Sequence, residues 1–87
     1  MTLIVQKYGG TSVGSPEKID AVAEKIGKFR DDGDDIVVVV SAMSGETNRL
    51  TSLAQEITEQ PIPREMDVLL STGEQVTIAL LCMALKK

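Results

Sequence analysis

Apolar residues come first as a continuous run, Leu3-Ile4-Val5, and then from Pro16 onward at helical spacing, as Ile19, Val22, Ala23, Ile26 and Phe29. This predicts a strand over residues 2–7 and a helix that starts with Pro16 at its first position and ends at Gly33. The other face of that helix carries Lys18, Asp20, Glu24, Lys25 and Lys28, the composition of a solvated surface. Ile36 to Val40 is a second continuous run, β-branched throughout, as expected of a parallel strand covered on both faces. Residues 2–40 therefore predict a βαβ crossover, right-handed by the usual rule.

Beyond the second strand, Ser41-Ala42-Met43-Ser44-Gly45-Glu46-Thr47-Asn48 is a polar loop at the strand's carboxyl end, where open α/β sheets bind ligands. Leu50, Leu53, Ala54 and Ile57 then share one helical face until Gln60-Pro61-Ile62-Pro63 stops the helix. A short helical segment from Arg64 carries Met66, Leu69 and Leu70. A separate last helix is expected to open at Ser71-Thr72-Gly73-Glu74-Gln75, with Thr72 and Gln75 spaced as a capping box. From Val76 to Leu85 it has little polar face, so it must be buried or form an interface.

Composition narrows the picture. A chain of 87 residues buries only about 60 to 65% of its unfolded surface, so any core is marginal. Tyr8 and Phe29 are the sole aromatics, which leaves the interior to aliphatic residues and methionine. Thirteen acidic and nine basic residues give a net charge of −4 without a basic block, which argues against nucleic acid as a partner. The run from Val76 to Leu85 is short for a bilayer span, and Met1-Thr2 leads straight into strand-like sequence rather than a secretory signal; no membrane association is expected. The single cysteine, Cys82, cannot form an internal disulfide, which fits a cytoplasmic setting. Lying among Leu81, Met83 and Leu85, it is expected to be buried. Asp31-Asp32-Gly33-Asp34-Asp35 lacks the alternating ligands and distal Glu of a calcium loop, so no metal ligands are expected there.

The candidate chemistry lies in Lys7-Tyr8-Gly9-Gly10-Thr11-Ser12-Val13-Gly14, at the junction of the first strand and first helix. Glycines there admit a ligand close to the backbone, and the helix behind them offers unpaired N–H groups and a positive dipole end to an anion. The octapeptide is neither of the two commonest phosphate motifs. A P-loop places Lys and then Ser or Thr after its last glycine, whereas Gly14 is followed by Ser15-Pro16; the dinucleotide pattern fails at Thr11. Here the lysine precedes the glycines, so its ammonium would approach phosphates from the strand end.

Lys-aromatic-Gly-Gly-Thr-Ser resembles the amino-acid kinase superfamily and, within it, the opening of aspartokinases. Ser41 to Asn48 (SAMSGETN) and Arg64 to Leu81 (REMDVLLSTGEQVTIALL) extend the resemblance over essentially the whole chain, with Tyr8 for a frequent Phe and Met66 for a frequent Tyr. It implies transfer of the γ-phosphoryl group of ATP, with Mg²⁺, to the side-chain carboxylate of L-aspartate. By motif position, Lys7 would be catalytic and would bind phosphate together with Gly9, Gly10, Thr11 and Ser12. Ser41, Thr47 and Glu74 would bind aspartate. Thr47 also suits a cap of the helix starting near Asn48, Glu74 a helix amino end, and Ser41 a turn.

Two strands with both faces apolar, and a last helix with more apolar girth than its neighbours can bury, predict an incomplete domain. The expectation is α/β: residues 1–87 as the N-terminal βαβ-containing portion of a three-layer α/β/α amino-acid kinase fold. The rest of the kinase domain, the adenine pocket, the metal-associated acids and the ACT regulatory domains that the resemblance implies would lie elsewhere. Two alternatives stand beside this reading. One is another amino-acid kinase, acting on glutamate or acetylglutamate. The other is a non-catalytic fragment that self-associates through the helix near Val76 to Leu85, the same surface through which a homo-oligomer is expected.

Overall fold

A computed structural model describes residues 2–87. The elements in chain order are β1 (Leu3–Tyr8), α1 (Pro16–Asp31), β2 (Asp35–Val40), α2 (Glu46–Ile57) and α3 (Pro63–Leu85). β1 and β2 pair in parallel, from Leu3 opposite Asp35 to Tyr8 opposite Val40. Because α1 joins two parallel neighbours, residues 3–40 form the expected βαβ unit.

The ends of α1 are built by the residues that predicted them. Ser15 is extended at the N-cap and its hydroxyl accepts from the Lys18 amide at 3.2 Å, with Pro16 behind it. At the other end Gly33 takes φ +88°; its N–H donates to the Arg30 carbonyl at 2.9 Å and the Asp34 N–H to the Phe29 carbonyl at 3.2 Å. These are the two bonds of a Schellman stop, which requires a left-handed residue at that position.

The core lies between one face of the sheet, α1 and α3. Val13, Ile19, Val22, Ala23, Ile26 and Leu81 are buried together, with Tyr8, Ile36, Val38, Val40, Met43, Leu80 and Ala84 packed against them. Along both strands burial alternates, so the other sheet face is bare: Leu3 and Val5 are 66% exposed, Val37 48% and Val39 47%. The sequence expectation that the second strand is covered on both faces is thus met on one face only, since no helix among the described residues crosses the other. The radius of gyration of 15.4 Å exceeds the roughly 12 Å of a compact chain of this length, in keeping with one open sheet face and a long projecting helix.

Three expectations are corrected here. The segment from Arg64 and the last helix are one continuous 23-residue helix, and no capping box forms at Thr72 and Gln75. Instead the Ser71 hydroxyl donates to the Val68 carbonyl at 2.7 Å and the Thr72 hydroxyl to the Leu69 carbonyl at 2.6 Å, so both are satisfied inside the helix they were expected to start. Merged in this way, α3 is long and apolar enough to cross a membrane by length and composition, although one face packs into the fold through Gly73, Thr77 and Leu81. Cys82 is exposed, one position round the helix from buried Leu81.

Candidate functional site

After Tyr8 the chain leaves the sheet and turns tightly, with the Ser12 N–H donating to the Gly9 carbonyl at 3.0 Å. The N–H groups of Gly9, Gly10 and Thr11 have no partner among the described residues and remain available to a ligand. The two glycines differ in why they lack a side chain. A Cβ on Gly9 would meet nothing within 4 Å, so that position is open to an approaching group. A Cβ on Gly10 would lie 2.9 Å from the Ala42 carbonyl oxygen, a separation that real Cβ atoms essentially never adopt. Gly10 is required by the contact between two loops.

That contact brings the predicted stretches together. The Ser41 N–H donates to the Tyr8 carbonyl at 3.1 Å, extending the strand pairing by one rung, and the Ser44 N–H donates to the Gly10 carbonyl at 3.1 Å. Ala42, between them, is buried. A Cβ on Gly73, in the middle of α3, would stand 3.1 Å from the Ala42 Cβ. The Lys7–Gly14 turn, the Ser41–Asn48 loop and the Gly73–Glu74 step of α3 therefore converge on Ala42.

Glu74 follows Gly73 at this crossing, exposed and in mid-helix, where no helix amino end supports it. Thr47 is exposed at the second residue of α2 and does not cap it; the cap is Gly45 at φ +85°, with no side-chain bond. Ser41 is half-buried beyond the end of β2. Glu46, the first residue of α2, pairs with Arg49 at 2.7 Å; the hydrogen bond and charge of Arg49 hold its carboxyl below the usual glutamate value.

Lys7 is not gathered with the glycine-turn hydroxyls. It shares the open face of β1 with Leu3 and Val5, exposed and without a hydrogen bond or ion pair among the described residues. Thr11 and Ser12 instead line a shallow hollow of about 320 Å³ on the α1 side, with Tyr8, Lys18 and Lys25. Tyr8 is half-buried there; its hydroxyl donates to the Gln6 amide oxygen at 2.8 Å and burial pushes its phenol pKa up. Two features escaped the sequence reading. The Lys18 ammonium, read as part of a solvated face, donates to the Thr11 carbonyl at 3.1 Å and ties α1 to the glycine turn. Gly73 was read as part of a helix start, although a lone glycine inside an apolar helical pattern signals close packing.

Residues 2–87 match the profile of the Amino acid kinase family. The chain belongs to that family. An aspartate kinase of Stutzerimonas stutzeri is 76% identical over all 87 residues, an aspartokinase of Pseudomonas aeruginosa 74%, and aspartokinase 2 of Bacillus subtilis 59%. The chain spans 21% of the length of each of these curated relatives. Among solved structures, aspartate kinase from Synechocystis superposes with a TM-score of 0.95 at 60% identity, over 97% of this chain and 14% of that one. The βαβ unit with its two following helices is therefore the N-terminal part of an amino-acid kinase fold.

Among the described residues no group of three or more His, Cys, Asp or Glu side chains could hold a metal ion. The convergence of the loops offers backbone N–H groups, hydroxyls and the carboxylates of Glu74 and of Glu46, the latter engaged by Arg49, a set that suits phosphate and amino-acid groups better than a bare cation.

Proposed function

We propose that this chain is the phosphate- and aspartate-binding portion of an aspartate kinase, which transfers the ATP γ-phosphoryl group to the side-chain carboxylate of L-aspartate. The observation that carries the reading is the whole-chain likeness to aspartokinases at up to 76% identity, including the three stretches that meet at Ala42. An aspartate oxygen attacks the γ-phosphorus, the bond to the β–γ bridging oxygen breaks, and ADP leaves with 4-phospho-L-aspartate as the other product. The nucleophile is already ionised at neutral pH, so the step needs no general base; it needs alignment and neutralised charge.

Lys7 supplies the positive charge to the transferring group, and the N–H groups of Gly9 and Gly10 hold phosphate oxygens, with Thr11 and Ser12 completing the cradle from the α1 side. Ser41 and Thr47 hydrogen-bond the aspartate, and Glu74 pairs with its α-ammonium. Mg²⁺ would accompany ATP and would supply further charge neutralisation at its phosphates. The setting is cytoplasmic, at the first step of lysine, threonine and methionine biosynthesis. The protein self-associates through α3, where Val76 is 47% exposed, Ile78 50% and Met83 67%.

The test is a chimera in which these 87 residues replace the matching segment of the Stutzerimonas stutzeri enzyme. ADP release should depend on L-aspartate and not on L-glutamate or N-acetyl-L-glutamate, at a rate within about tenfold of the parent. A chimera that folds but shows no aspartate-dependent turnover defeats the proposal.

A further inference from the structure

We propose that Gly73 is a positioning residue: by carrying no side chain where α3 crosses Ala42, it sets the seat of the Ser41–Asn48 loop against the glycine turn. This rests on reading that loop as the aspartate-binding one.

Ala42 makes two close contacts. Its carbonyl oxygen abuts Gly10, where a Cβ would come to 2.9 Å, and its own Cβ abuts Gly73, where a Cβ would come to 3.1 Å. Leu50 closes the same crossing from α2, with its Cδ1 3.5 Å from that position, but a leucine terminus can swing aside. The Ala42 Cβ cannot, because it is fixed to the backbone that carries Ser41. A methyl group on Gly73 must therefore shift the loop by a few tenths of an ångström, while the Ala42 carbonyl is already held in close contact with Gly10. The helix gives no reason for a glycine there, since Ala is the better former at an interior position. The clearance for Ala42 does.

The consequence for chemistry is selective. Ser41 directly precedes Ala42 and Thr47 lies in the first turn of α2, which the loop leads into, whereas Lys7 lies within β1, whose register is fixed by pairing with β2. Small misplacements of positioning groups cost rate or affinity steeply. In the chimeric enzyme, Gly73→Ala should raise KM for L-aspartate about three- to tenfold and KM for ATP by a clearly smaller factor, since Ala42 reaches the phosphate turn only through Gly10.

The decisive comparison is the cycle of Gly73→Ala, Ala42→Gly and the double variant. Removing the Ala42 methyl vacates the space that the new methyl needs, so the double variant should return KM for L-aspartate to within twofold of the unsubstituted chimera. If Gly73→Ala alone does not fold, a double variant that folds with the unsubstituted KM still supports the proposal. An unchanged aspartate KM in Gly73→Ala, an equal rise for both substrates, or a double variant no better than the single one overturns it. An unsubstituted chimera without aspartate-dependent turnover would instead fail the functional reading, which is read before any variant is made.

Discussion

Lys7 stands on the open face of β1 with its ammonium in solvent, so its removal leaves no buried cavity and no orphaned partner. Lys7→Ala in the chimera should lower kcat by two orders of magnitude or more with an unchanged circular dichroism spectrum; near-normal turnover would end its assignment. Glu46 and Arg49 give a different residue-scale expectation. The carboxyl of Glu46 is held down by Arg49, so the pair stabilises the fold above the ordinary glutamate pKa, and that contribution is lost as pH falls through the depressed value. Carbon-detected NMR titration should show the Glu46 midpoint rising toward the ordinary value in Arg49→Gln; an unchanged midpoint would mean that the pair does not persist in solution. Arg49 is exposed and Glu46 half-buried at the surface, so the effect on stability is small and screened by salt. Lys7, Gly9, Thr11 and Ser12 were legible as candidates because residue type and order carry the phosphate chemistry directly. The role of Gly10 was not, because the atom that forbids its side chain belongs to Ala42, more than thirty positions away in sequence.

At the scale of the element, α1 was readable from end to end. Ser15, Pro16 and Gly33 act through bonds within a few residues, and local bonds leave local signatures. Gly33→Ala places a Cβ in the left-handed region and should destabilise the 87-residue chain by about 1 kcal/mol, read as a lower urea midpoint by circular dichroism. An unchanged midpoint would mean that the Schellman stop does not form. The last helix was misdivided for a related reason. Ser71, Thr72 and Gln75 look like a helix start when spacing alone is considered, yet Ser and Thr hydroxyls can also bond back to the preceding turn. Which option wins depends on whether the helix is held together from outside, and Gly73, Thr77 and Leu81 packing into the fold hold it. The exposure of Cys82 follows the same logic, since in an all-apolar segment the sequence does not say which stripe faces inward.

For the whole molecule, helices cover one sheet face and the other shows Leu3, Val5, Val37 and Val39 to solvent. The site is divided accordingly, with Lys7 on the bare face and the Thr11–Ser12 hollow on the covered one. On this geometry the 87 residues alone should bind Mg·ATP and L-aspartate weakly or not at all by isothermal titration, even when circular dichroism reports a folded chain. Tight stoichiometric ATP binding would mean that these residues form a self-sufficient nucleotide site. In sedimentation velocity the isolated chain should associate as concentration rises, through the exposed apolar residues of α3; a monodisperse monomer at every concentration would remove that surface from the proposal.

The sequence by itself determined the βαβ unit, the parallel character of the strands, the caps of α1 and the glycine turn between β1 and α1. Each depends on periodicity or on bonds between near neighbours, and such information is written in the order of residues. Only the tertiary structure decided that α3 is one helix, that Lys18 holds the glycine turn, and that Gly10 and Gly73 both clear space for Ala42. Those facts are contacts between segments far apart along the chain, and close packing fixes them by which atoms would collide, a quantity that no single stretch of sequence contains.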